Sequence, residues 1–276
     1  MSSLSDLLIP ADQVQALTHV RMGIYGPNGA GKTTFASTIP DSERVLYISV
    51  DDENIRPVAH LKHFRIIKVR RWDQLLVVYQ GLVHQKGITT VVWDTWSRIQ
   101  DLAVGKVTGY EPSDPNKLVQ YINSIPKSPQ GWAGWGQVGA LCSEWQRNFN
   151  MLPMHMLYLL QEQDRRREVE QDVYTAPRLT PEALKGIRDS LEILGRLYVD
   201  LAPQGDSKDG DVPSFSLDGP AADRIDPNVR ETRRLFIGQH ERYIAKGPTH
   251  ILGRIIDDPT WPRVVQPLFG GRNGSR

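Results

Sequence analysis

Apolar positions alternate at Val20, Met22 and Ile24, and this period-two run leads straight into Gly26; the spacing predicts a strand. A helix is expected over 33–39, stopped by Pro40, because proline's fixed φ and missing N–H cannot extend it. Residues 45–50 (VLYISV) are mostly apolar and end in Asp51, Asp52 and Glu53, while 64–69 forms a shorter run; both predict strands. Leu75, Leu76, Tyr79, Leu82 and Val83 then recur at helical spacing behind Asp73, a residue type suited to capping a first turn. Lys86-Gly87 ends that helix, and 88–93 reads as a buried strand with Asp94 at its carboxyl end. Near-continuous apolar strands separated by amphipathic helices predict an α/β fold, its largely parallel sheet covered on both faces.

Further along, 105–136 turns to Gly, Pro, Ser and Asn, too long for a routine connection, so a functional loop or mobile insertion is expected. Val138, Leu141, Trp145 and Phe149 predict another helix, and 154–160 a strand ending at Gln161. A second polar stretch, carrying Arg165-Arg166-Arg167, runs to about 177. A helix is expected over 181–194, a strand over 196–201 and loop over 203–230. The segments 234–238 and 242–246 are predicted to pair as a C-terminal β-hairpin around Gln239-His240-Glu241. The chain thus divides into a leader segment (1–19), one domain (20–265) and a disordered tail (266–276).

Composition narrows the chemistry. With 33 basic and 32 acidic residues the formal net charge is +1, so affinity for nucleic acid must come from local patches. Cys142 is the only cysteine; no internal disulfide can form, which suits a reducing compartment. The first ten residues lack the basic start and long apolar core of a signal peptide, and no apolar run approaches a membrane span. The expectation is a soluble cytoplasmic protein without a membrane partner. The seven histidines are scattered without paired ligand spacing, which gives no support to a structural metal site.

One motif carries strong chemistry. Gly26-Pro27-Asn28-Gly29-Ala30-Gly31-Lys32-Thr33, followed by Thr34, fits G-x-x-x-x-G-K-[ST] at every required position, after a predicted strand and before a predicted helix. Its glycines let successive backbone N–H groups turn inward on phosphate oxygens. Lys32 neutralises charge at the β- and γ-phosphates, Thr33 ligates Mg²⁺, and the helix start faces the same anions. A phosphate loop needs an acid for Mg²⁺ at the end of a nearby strand, and Asp94 after Val91-Val92-Trp93 supplies it. For the group that orients or activates water, Asp51 is the leading choice, with Asp52 and Glu53 as rivals. Gln161 is placed to sense a γ-phosphate by hydrogen bonding. ATP with Mg²⁺ is the expected ligand pair, although nothing in the sequence reads the base.

A phosphate loop after the first strand, an acid ending the second, TTVVWDTWS as Walker B and Gln161 ending the next strand resemble the RecA-like P-loop ATPase core. The finer texture resembles phage-encoded RecA-like ATPases, including the Sak-type single-strand annealing proteins. VLYIS followed by an acid and the late segment YIAKGPTHILGRIIDDPTW carry that resemblance, which covers roughly 20–265. It implies a sheet in which another strand separates the Walker A and Walker B strands. It places Asp51 at the catalytic acid, one methylene shorter than the family's Glu. It places Gln161 at the link from γ-phosphate to a DNA-binding loop, and Lys246 where a lysine reaches a neighbouring subunit's nucleotide. The family's K-x-R texture is here Lys246-Gly247-Pro248, without the second basic residue. Phage encoding would put the protein in the host-cell cytoplasm, as a homo-oligomer acting on single-stranded DNA alongside a single-strand-binding protein.

The two polar stretches occupy the places of DNA loops in that family. Arg165, Arg166 and Arg167 are the candidates for phosphate contacts, although Glu168, Glu170 and Asp172 nearly balance them. Trp132 and Trp135 could stack on bases, but burial against the core is the commoner fate and is preferred for Trp135. Lys106, Lys117 and Lys127 read as surface lysines. Two other functions stay open: a P-loop ATPase for protein remodelling or packaging without DNA dependence, and a nucleotide-responsive scaffold with little hydrolysis.

Overall fold

The computed structural model of the protein describes residues 18–50, 58, 64–109, 133–166, 172–203 and 229–269. Its strands are β1 (Arg21–Gly26), β2 (Val45–Ser49), β3 (Arg65–Lys68), β4 (Thr90–Asp94), β5 (His155–Arg166), β6 (Val173–Pro177), β7 (Ile193–Pro203), β8 (Val229–Phe236) and β9 (Ile255–Asp257). Among the described residues they join in the order β3-β2-β4-β5-β1-β7-β8-β9, with β6 paired to β5 off this path. The pairs from β3 through to β7 are parallel. Strands β8 and β9 continue antiparallel, and β6 runs antiparallel to the far half of β5. As the resemblance implies, β5 lies between β1, which leads into the glycine-rich loop, and β4, which ends in Asp94.

The strand alternation sorts side chains onto two cores. From β4 and β5, Val91, Trp93, Met156, Tyr158 and Leu160 face one side. There they meet α2 (Gln74–His84), α3 (Ile99–Thr108), α4 (Ala133–Asn150) and α5 (Pro181–Ser190) through residues such as Leu75, Ile99, Phe149 and Ile187. Val92, Leu157 and Leu159 face the other side with Met22 and Ile24. That side is covered by α1 (Lys32–Ser37) and α7 (Trp261–Phe269), through Phe35, Trp261 and Val264. A shorter helix, α6 (Thr249–Leu252), precedes β9. Trp93, Trp96, Phe149 and Tyr158 form an edge-on aromatic cluster, with Trp93 and Phe149 centroids 4.6 Å apart. Cys142 is buried in this layer, and burial pushes its thiol up to about 12, so it sits as a protonated apolar filler.

Several expectations are corrected. The residues 242–246 do not form a hairpin with 234–238: β8 pairs with β7 on one side and β9 on the other. Tyr243 and Lys246 instead make single bridges to Thr175 and Leu194. An antiparallel C-terminal pairing does exist, but its partner is β9, because the alternation in 255–257 continues the buried face of β8 at Ile256. The strand after Met154 does not stop at Gln161; it runs on to Arg166 and folds back through β6. Much of the expected polar loop is therefore a two-stranded ribbon. The helix expected over 181–194 ends at Ser190, and β7 begins at Ile193. Helices α3 and α4 reach Thr108 and start at Ala133, narrowing the stretch expected over 105–136. Asp73 makes no capping bond; its carboxylate pairs with Arg71 at 2.7 Å. The Gln74 side chain takes the Arg70 and Arg71 N–H groups instead. Helix α7 extends through Phe269, beyond the expected limit of 265.

Candidate nucleotide site

The site is built where parallel strands end. Gly26 is level with Gln161 across β1 and β5, and Ser49 is level with Asp94 across β2 and β4, so the carboxyl edge gathers these groups. Gly26 has no room for a side chain: a Cβ there would lie 2.0 Å from the Leu197 carbonyl oxygen. Gly29 and Gly31 adopt φ values of 82° and 95°, the left-handed region that glycine enters without steric penalty. The motif's glycines thus stand where the backbone leaves no room for a side chain or turns left-handed.

Lys32 Nζ donates to the carbonyls of Gly26 and Pro27 at 2.7 and 2.8 Å. Burial lowers its pKa, while the carboxylates of Asp94 and Glu162 act in the opposite direction. In loops of this kind the lysine serves the β- and γ-phosphates; on that expectation the Gly26–Pro27 side, which Lys32 contacts, is called the γ end. Thr33 Oγ1 donates to Asp94 Oδ2 at 3.1 Å. Asp94 is buried, and the Tyr47 hydroxyl donates to the same oxygen. Burial, then the Asp94 charge, raise the Tyr47 pKa far above its ordinary range, so the phenol remains a donor that holds the carboxylate. The Asp94–Thr95 peptide is cis, and Thr95 Oγ1 donates to the Leu159 carbonyl at 2.8 Å. A hydroxyl and a carboxylate in contact are hard oxygen donors of the kind Mg²⁺ takes together with phosphate oxygens. Thr33 and Asp94 fit such an ion, which would supply charge compensation at the phosphates.

Two cavities flank the loop. At the γ end, Gly26, Pro27, Asn28, Gln161, Glu162 and Arg178 line about 230 Å³. At the other end, Gly31, Thr34, Phe35, Thr38, Leu197, Arg233, Asp258, Pro259 and Thr260 line about 180 Å³. The Arg233 side chain lies close over Gly31, where a Cβ would approach its Nε to 2.8 Å. That second cavity follows the start of α1, the side on which a nucleoside leaves a phosphate loop whose lysine marks the γ end.

A model of the AAA_24 family, described as an AAA domain, matches residues 18–249. The chain belongs to this AAA family. Among solved structures it is similar to the RadB recombinase, at 13% sequence identity and a TM-score of 0.40, over 81% of this chain and 82% of that one. No curated protein matches it. Family membership and the largely parallel strand order agree on an AAA-type α/β core with the glycine-rich loop after its first strand.

In this AAA protein the remaining expected residues fall as follows. Gln161 donates its N–H to Ser97 Oγ at 3.1 Å and accepts from Arg178 Nη1 at its side-chain oxygen at 2.9 Å. Asp51, Asp52, Glu53 and Arg167 lie outside the described residues, as do Trp132, Lys117 and Lys127. Val50, the last described residue before the acids, donates its N–H to the Asp94 carbonyl at 2.7 Å. Arg165 turns back on the protein, its guanidinium donating to the Leu179 carbonyl. Arg166 is exposed on the ribbon opposite Val173. Lys246 exchanges backbone hydrogen bonds with Leu194, which is level with Gly23 in the middle of β1. Trp135 packs partly buried against the core, and Lys106 is exposed. Asp101 is part-buried and paired with Arg98 at 3.1 Å. No described helix is long and apolar enough to cross a membrane.

Sequence reasoning missed Tyr47, Glu162, Arg178 and the Arg233–Asp258 end. Tyr47 sits in the VLYIS strand, and its polar tip in an otherwise apolar run was the available signal. Glu162 was visible as the residue after Gln161. Its role in the cavity depends on Arg196, whose ion pair with it at 3.1 Å joins β5 to β7 and whose guanidinium stacks 4.5 Å from the Tyr243 ring centroid.

Proposed function

We propose that the protein hydrolyses ATP with Mg²⁺ and acts on single-stranded DNA in phage-type recombination or annealing. In this reading the backbone of 26–34 and Lys32 hold the phosphates, Thr33 and Asp94 organise the metal, and Asp51 orients water. Lys246 reaches a neighbouring copy's nucleotide in a homo-oligomer, and a single-strand-binding protein shares the substrate. The observation that carries the reading is the join at Gln161. One residue lines the γ-end cavity and continues without a break into the β5–β6 ribbon. A change at the phosphate therefore has a direct covalent route to the segment bearing Arg166 and Arg167, the groups proposed to meet DNA phosphates.

The test is ATP hydrolysis by wild type and Lys32→Ala, with and without single-stranded DNA, at low and high salt. The expected outcome is DNA-stimulated hydrolysis that disappears in Lys32→Ala and fades as salt rises. Lys32-dependent hydrolysis indifferent to DNA would instead establish a remodelling or packaging ATPase, and binding without turnover a nucleotide-responsive scaffold.

A further inference from the structure

We infer that Arg178 is the chain's own cation for the γ-phosphate, acting on the nucleotide of the same subunit. The inference rests on the ATPase reading above and names a residue that reading did not contain. Arg178 lines the γ-end cavity opposite Gly26, Pro27 and Asn28. Its placement is backed twice over. The Arg178 N–H donates to the Gln161 carbonyl at 2.8 Å, and its guanidinium donates to the Gln161 side chain at 2.9 Å. The turn that carries it is pinned on both sides. Pro177 is paired with Glu162 at the end of the ribbon, and the next carbonyl, that of Leu179, accepts from Arg165.

The charge requirement supplies the chemistry. Transfer of a γ-phosphoryl group spreads negative charge over its outer oxygens, and cations aimed there stabilise it. Lys32 reaches the loop from the α1 side, where its Nζ contacts the Gly26 and Pro27 carbonyls. Arg178 approaches the same end of the loop from β6, across the cavity. It is exposed at the rim, so a phosphate oxygen can meet its other guanidinium N–H groups while Nη1 and the backbone N–H stay on Gln161. A planar fork of donors can hold phosphate and glutamine at once, which a lysine ammonium cannot do with the same geometry. Gln161 then orients Arg178, and the pair connects γ-phosphate contact to the root of the ribbon.

The test compares full-length wild type, Arg178→Ala, Arg178→Gln and Arg178→Lys, with Lys32→Ala as reference. Affinities for fluorescent ADP and for a fluorescent non-hydrolysable ATP analogue are read by anisotropy with Mg²⁺, beside melting temperature and hydrolysis. Arg178→Ala should weaken the ATP analogue about 10-fold or more, a charge-assisted bond's worth, while ADP affinity and melting temperature stay near wild type. Hydrolysis should fall on the order of 10³-fold, as for other transition-state arginines. Arg178→Gln keeps a side-chain partner for Gln161 but no charge, and should behave like Arg178→Ala; Arg178→Lys should recover part of the ATP-analogue affinity. Equal loss for both nucleotides, or an Arg178→Gln variant indistinguishable from wild type, would overturn the assignment and leave Arg178 a tether of the ribbon. Wild type that binds neither nucleotide would remove the ATPase reading itself, and is distinguished by its match to Lys32→Ala.

Discussion

The two ends of the phosphate loop are built from different parts of the chain and held in different ways. The γ end is made by the central parallel strands β1 and β5 and the turn after β6, where Gln161, Glu162 and Arg178 are tied into the sheet by backbone register and by ion pairing to Arg196. The opposite end is made by α1 and by the C-terminal β8–β9 unit, which reaches the loop through Arg233 and Asp258. Asp258 itself takes a left-handed φ of 42°, and its N–H donates to the Arg233 carbonyl at 2.6 Å. Under the proposed function the difference separates tasks: the groups proposed to respond to the γ-phosphate sit on the core sheet, and those at the other end of the loop sit on an added antiparallel edge.

The largest test of that division is Asp94→Asn, which removes the carboxylate shared by Thr33 and Tyr47. Hydrolysis should fall on the order of 10³-fold, with Mg²⁺ dependence of ATP-analogue binding flattened in a titration. Gly26→Ala should disable both ends at once, because the new Cβ meets backbone rather than a movable side chain. A loss of about 3 kcal/mol is expected from such overpacking, read as a lowered denaturation midpoint with both nucleotide affinities reduced. Arg233→Ala should act at one end only: ADP and the ATP analogue should weaken by the same factor, about 10-fold. An unequal loss there would merge the two ends into one.

The smallest effect lies at the opposite edge of the sheet. His155 Nδ1 accepts from the Val20 N–H at 3.0 Å, and its ring meets Trp261 and Phe269. Burial, then the neighbouring His19, lower its pKa to about 4, below the ordinary 6.5. The neutral ring is thus favoured by folding, and its contribution is present above pH 6.5 and lost as pH falls from there toward 4. Thermal melts across that window should show His155→Gln losing less stability on acidification than wild type. The ratio of ADP to ATP-analogue affinity should not change.

How much of this was legible in advance depended on the range of the interaction. The glycine-rich loop, its flanking strand and helix, and Asp94 at the end of an apolar strand are local patterns. Their spacing is dictated by backbone geometry within a few residues, so the P-loop and the parallel α/β core could be read from the chain. The β8–β9 pairing was missed because 242–246 and 255–257 both present short apolar segments. Only the packing of Ile256 into the layer of Trp261 and Val264 selects between them. The ribbon was read as loop because 162–166 are all polar or charged, and its apolar side, at Tyr174 and Ala176, is too short to stand out.

By itself, the sequence determined the glycine-rich loop with its lysine, placed the hydroxyl and acid proposed to hold a metal, and called for a sheet covered on both faces. These follow from residue type at fixed local spacing. Only the tertiary structure decided which groups share the loop's two ends: Tyr47 on Asp94, Arg178 on Gln161, and Arg233 over Gly31. Each of these pairs joins residues from separate elements. Sequence spacing carries no information on such a contact until strand order and register bring its partners to the same edge.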